Sequence, residues 1–166
     1  MLFQGTTILG PVAPTGWEVP RGRRFLAVVE REEVRMSQDD VKTMQEAYDA
    51  FNRGDIPGVT EAMTSDIEWN EPGGGRAPQG TFTGPESVAN DVFSTVPENF
   101  EQFRAEVDEW IDARDRLVVT GHFRGTAKSG EAMDVPFVHV WTMRGGKAGT
   151  FDNYVDQQAW SKAWGV

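Results

Sequence analysis

Residues 137–156, FVHVWTMRGGKAGTFDNYVD, constrain the fold more than any other stretch of the chain. Gly145-Gly146 lies between two runs rich in β-branched and aromatic residues, and paired glycines supply the positive φ that a two-residue hairpin turn requires. Side chains alternate along a strand. Phe137, His139, Trp141 and Met143 therefore share one face, and Val138, Val140 and Thr142 the other. On the return strand Phe151, Asn153 and Val155 share a face, opposite Asp152 and Tyr154. One ionisable His thus stands among large apolar neighbours, with an amide on the adjoining strand. The pattern fits either a site or a satisfied core histidine.

The length of 166 residues suits one domain with a core of its own. The chain has no cysteine, which excludes disulfides, thiol nucleophiles and Cys-ligated zinc. A formal charge of −10 argues against nucleic acid or an anionic membrane as partner. No apolar run is long enough to span a bilayer, and no secretory signal pattern is present, so a cytoplasmic protein is expected. Residues 1–35 differ in texture: rich in Pro and Gly, they carry five arginines against four glutamates, which leaves −11 on the remainder. They read as a loosely attached extension, with a possible short strand at 25–29, before a domain over 36–166.

That domain opens on Ser37-Gln-Asp-Asp40, a capping-box pattern, followed by Val41, Met44, Tyr48 and Phe51 at helical spacing as far as Gly54. Asp55 caps a second short helix with Pro57 in its first turn. Asp66 to Glu71 reads as a short strand stopped by Pro72, followed by a Gly/Pro-rich loop to Gly84 that would rim a pocket. Its alternation leaves open which pair faces inward, Trp69 and Glu71 or Glu68 and Asn70. Pro85 opens a third helix, closed before Pro97. Four long strands follow from Phe100, then a terminal helix capped by Asp156. Segregated helices and strands mean an α+β fold. The helices must cover one face of a twisted sheet, leaving a cavity between.

Tyr48-Asp-Ala-Phe-Asn-Arg-Gly-Asp55, Ile67-Glu-Trp-Asn-Glu-Pro-Gly73, Gly84-Pro-Glu86 and the 137–156 hairpin together resemble the SnoaL-like family, part of the nuclear transport factor 2-like superfamily with ketosteroid isomerases, polyketide cyclases and limonene epoxide hydrolases. The resemblance covers roughly residues 37–165. It implies a cone-shaped, curved antiparallel sheet wrapped by three to four helices, a homodimer formed through the outer sheet face, and a deep pocket for an apolar or aromatic small molecule. No cofactor or metal is expected.

On this resemblance His139 matches a pocket His of the cyclases and the isomerases' oxyanion-binding Asp. A His can exchange a proton near neutrality, so it is the leading candidate acid/base. Glu71 precedes Pro72 as the isomerases' base precedes a Pro, and an apolar cavity would raise its pKa to a useful value. Asn153 takes the place of the catalytic Asp of the cyclases and epoxide hydrolases. An amide cannot act as a base, so it is read as holding substrate, together with Asn70, His122, Trp69, Trp141, Phe137, Tyr48 and Val155. The chemistry expected is proton transfer next to a carbonyl, by an isomerase or an aldol-type cyclase. The competing expectation is a non-catalytic binding or assembly domain.

Overall fold

A computed structural model describes residues 36–165. The extension and short strand expected before Met36 lie outside the described residues. Helix α1 (Gln38–Asn52) starts where the capping box places it. Ser37 Oγ accepts the Asp40 N–H, and the Asp40 carboxylate accepts the Ser37 N–H, each at 3.0 Å. Such a cap satisfies helix donors that have no partner of their own and is worth about 1 kcal/mol. α1 turns Met44, Ala47, Tyr48 and Ala50 inward. Helix α2 (Ile56–Glu61) follows on its Asp55 cap.

Strand β1 (Met63–Gly74) is longer than expected, and the anticipated loop is a second strand, β2 (Ala77–Thr83), hairpinned onto it. Pro72 does not stop β1. Pairing of β1 with its other neighbour ends at Asn70, so from there the strand needs donors on one side only, the edge position in which a strand tolerates Pro. The third helical passage also runs further than expected. One α turn, α3 (Pro85–Ser87), widens into a π-helical stretch (Val88–Phe93) and continues as α4 (Thr95–Asn99). Pro97 falls in the first turn of α4, where its missing N–H removes no bond.

The remaining strands, β3 (Phe100–Asp112), β4 (Arg116–Ala127), β5 (Ala132–Arg144) and β6 (Lys147–Val155), form an antiparallel meander, and α5 (Gln157–Ala163) ends it. The β5–β6 turn is made by Gly145 and Gly146 at φ 61° and 79°. The sheet order is β2-β1-β6-β5-β4-β3. The sheet is mixed and not purely antiparallel, because β1 runs parallel to β6. It is curved and unclosed. Gly121 and Gly125 on β4 are part of the reason: a Cβ at either would collide with the backbone carbonyl of Glu106 or Gln102 on β3, so the two strands approach each other there as only glycine allows.

The helices cover the concave face. Phe151 lies at the centre of the covered core, its ring 3.8 Å from that of Trp69 and 4.4 Å from that of Trp141. α5 is fastened to the β1–β2 turn: Gln157 Nε2 donates to the Gly73 carbonyl at 2.8 Å, and Arg76 N–H donates to the Trp164 carbonyl at 3.2 Å.

Candidate active site

Between the helices and the concave face lies a partly enclosed cavity of about 80 Å³. That is roughly half the ~150 Å³ that holds a benzene molecule in an engineered protein cavity, so entry of a ring requires lining side chains to move. Met44 and Met63, unbranched and adaptable, are among those that can. The wall is almost wholly aromatic and aliphatic, with a few polar atoms from α1, β1, β5, β6 and α5.

Strand alternation resolves the question left open for β1. Ile67, Trp69 and Glu71 face the cavity side, while Glu68 and Asn70 face away. The Glu71 carboxylate is held by two donors, Trp69 Nε1–H to Oε1 at 2.6 Å and Asn153 Nδ2–H to Oε2 at 2.8 Å. Each oxygen keeps a lone pair for a further partner. Burial among aromatic rings raises the Glu71 pKa from 4.5 to about 7, and the Asn153 and Trp69 N–H groups only partly offset this.

His139 is 3% exposed and sits directly opposite Asn153 in the β5–β6 register. Phe137 stacks on it, with centroids 3.9 Å apart and planes at 8°. Its Nδ1 lies 2.5 Å from Tyr48 Oη, and Trp141 Nε1–H donates to the same hydroxyl at 3.1 Å. Indole nitrogen can only donate. The tyrosine oxygen therefore accepts from Trp141, which leaves its own hydrogen available to His139 Nδ1 when His139 is the Nε2–H tautomer. That N–H is turned toward the Asn153 side, where the amide favours the protonated ring but does not outweigh desolvation: burial lowers the His139 pKa from 6.5 to about 3. Burial likewise raises the Tyr48 pKa above its ordinary value, against the Trp141 hydrogen bond.

Burial thus disfavours the charged form of both cavity groups: it lowers the His139 pKa away from neutrality and raises that of Glu71 toward it. His139 belongs to a buried polar chain: Trp141 to Tyr48, Tyr48 to His139, and, from the facing Asn153, on to Glu71.

Of the other expected site residues, Trp69, Trp141, Tyr48 and Asn153 line the cavity. Phe137 supports His139 from the side and Val155 packs against the core, but neither is in the wall. Asn70 and His122 are on the opposite face of the sheet, contrary to expectation. Asn70 Nδ2 donates to Asp152 at 2.8 Å and its Oδ1 accepts from Thr81 at 2.6 Å. His122 lies 2.5 Å from Asp134 and 3.7 Å from Asp108, beside Arg124, which bridges Asp134 and Glu106. These are half-exposed polar contacts on the outer face, worth little individually to stability, and on the side of the sheet away from the cavity.

Trp160 and Trp164, outside the residues expected from the sequence, also line the cavity. Four buried side-chain polar atoms among the described residues have no hydrogen-bond partner: His139 Nε2, Asn153 Oδ1, Trp160 Nε1 and Trp164 Nε1. All four residues belong to the cavity wall. The i, i+4 spacing of two tryptophans on the terminal helix was the available signal, since it puts both on one helical face.

Residues 44–148 match the model of a family described as the SnoaL-like domain. No curated protein matches the chain. Among solved structures, an NTF2-like protein of unknown function from Burkholderia pseudomallei K96243 is 32% identical, covering 79% of this chain and 100% of its own, with a TM-score of 0.69. TerC co-crystallised with polyporic acid is 28% identical over 76% of this chain and 98% of its own, TM-score 0.67. A proposed polyketide cyclase from Xanthomonas campestris pv. campestris, 20% identical over 76% and 97% with a TM-score of 0.62, shares the fold.

Proposed function

This chain belongs to the SnoaL-like domain family, and on that premise we propose that it is a small-molecule enzyme in which Glu71 moves a proton at a carbon next to a carbonyl. The reaction class is isomerisation or aldol-type cyclisation of a small apolar or aromatic substrate. The observation that carries the reading is the Glu71 carboxylate itself: it lies in an apolar cavity, held by two N–H donors, with a pKa of about 7. A base is most effective when its pKa is near the working pH. In the first step the C–H bond breaks, its proton goes to a Glu71 oxygen, and the electron pair moves onto the carbonyl oxygen. Glu71 then returns the proton to another carbon, or the enolate carbon adds to a second carbonyl and the proton goes to the new alkoxide. The co-crystal of TerC with polyporic acid supports a small organic ligand for a cavity of this kind. The test is deuterium uptake at the methyl group of acetophenone in D₂O, read by NMR. Uptake above the protein-free rate that disappears in Glu71→Gln supports the reading; uptake equal in the two proteins, or none at all, speaks for a purely binding role.

The proposal includes a second copy of the chain on the outer sheet face. Val138 and Tyr154 are cross-strand partners there and remain exposed, Tyr154 at 58%, with Ile111 at 40% exposed on β3 of the same face. Tyr154→Lys should shift sedimentation from twice the chain mass toward the single-chain value. A wild-type protein that sediments as one chain would remove this part of the proposal.

A further inference from the structure

The cavity contains four tryptophans in two different states. Trp69 and Trp141 use their indole N–H groups within the wall, on Glu71 and Tyr48. Trp160 and Trp164 do not: both are 3% exposed, both line the cavity, and neither Nε1 has a partner among the described residues. Trp160 lies on α5 and Trp164 caps its C-terminal end one turn later, with ring centroids 5.4 Å apart, and their other ring neighbours are Phe100, Phe103 and Phe123, which offer no acceptor atom. A buried donor left without an acceptor keeps the full cost of its desolvation, and native proteins rarely leave one unpaired without a use for it. The wall's acceptors do not serve them: the Glu71 oxygens and the Tyr48 hydroxyl take N–H groups from Trp69, Asn153 and Trp141, and Asn153 Oδ1 is itself without a partner.

We infer that the Trp160 and Trp164 indole N–H groups form an oxygen-binding subsite under α5, which selects a single-ring aromatic ketone by its carbonyl oxygen. The inference rests on the proposed function for the pairing of that carbonyl with Glu71, and it gives that reading a substrate class. A carbonyl oxygen has two lone pairs and can accept from both indoles at once, while the Phe and Trp rings around it suit a flat aryl group. α5 is tied by Gln157 and Arg76 to the same β1–β2 hairpin that carries Glu71, so the donors and the base are set by one structural unit.

The test compares acetophenone with isopropylbenzene, a near-isostere in which the carbonyl is replaced by CH–CH₃, by calorimetry and by the indole N–H resonances of ¹⁵N-labelled protein. Wild type is expected to bind acetophenone about tenfold more tightly, with the Trp160 and Trp164 Hε1 signals moving for the ketone alone. Trp160→Phe and Trp164→Phe, which keep the ring and remove the N–H, should each weaken acetophenone by roughly three- to tenfold and leave isopropylbenzene within about twofold. Equal affinity for the two ligands in wild type overturns the subsite, as do equal losses for both ligands in the variants and a failure of both to bind. Glu71→Gln separates this inference from the reading it rests on. Discrimination between the ligands that survives while deuterium uptake is the same in wild type and Glu71→Gln leaves the subsite and removes the base. Uptake that depends on Glu71 without discrimination does the reverse.

Discussion

Glu71→Gln should lower the rate of deuterium uptake into acetophenone by roughly 10²–10⁴-fold, the usual contribution of a positioned general base. The substitution keeps the shape, turns one of the two acceptor oxygens into an NH2 donor, and removes the carboxylate whose pKa burial raises to about 7. In wild type the rate should climb with pH and level off, with a midpoint near 7, because only the carboxylate form accepts the proton. The midpoint distinguishes Glu71 from His139. If His139 were the base, activity would already be at its plateau at pH 5, since its pKa lies at about 3. A flat profile from pH 5 to 8, or a Glu71→Gln protein with undiminished rate, would contradict the assignment.

The same two groups should shape stability against pH, in opposite directions. The folded pKa of His139 is depressed, so its contribution is fully present above about 6.5 and is lost as pH falls toward 3. A gap of that size corresponds to a loss on the order of 5 kcal/mol over the whole window. The folded pKa of Glu71 is raised, so its contribution is fully present below about 4.5 and is lost as pH rises through 7. That loss is on the order of 3 kcal/mol. Between 4.5 and 6.5 the slopes oppose each other, and wild-type stability should be nearly level there. Below 4.5 the histidine dominates and stability falls. Glu71→Gln removes one of the two slopes, so its stability should climb steadily from pH 3 to 6.5 and then hold. Urea unfolding at half-unit pH steps on both proteins reads this directly. Parallel curves for the two would show that Glu71 ionises in the folded state as it does in the unfolded chain.

Local rules were legible in the sequence wherever one segment settles its own geometry. The Ser37–Asp40 cap, the Gly145-Gly146 turn and the shared face of Phe137, His139 and Trp141 all appear as read. The misses have a common physical origin in long-range pairing. Pro72 reads as a strand terminator until β2 is known to lie beside it and β6 to have withdrawn. His122 looks as eligible for the cavity as His139 until the β4–β5 register is fixed. That register sets Val119 opposite His139, and position 122, an odd number of residues away, then faces out. Asn70 falls outward by the same parity once Trp69 is seated on Phe151. The opposite pKa shifts of His139 and Glu71 depend on desolvation, which no local pattern reports. It becomes visible only when the aromatic wall closes around both groups.

The parallel pairing of β1 with β6 has a consequence for how this site can change. The strands run in step, Trp69 with Phe151 and Asn70 with Asp152, so positions 71 and 153 stand side by side with their side chains already touching. In the proposed function, a carboxylate at either position would reach the same part of the cavity wall. Glu71→Gln/Asn153→Asp should therefore recover part of the deuterium uptake that Glu71→Gln alone loses. A double variant as inactive as the single one would tie the chemistry to position 71.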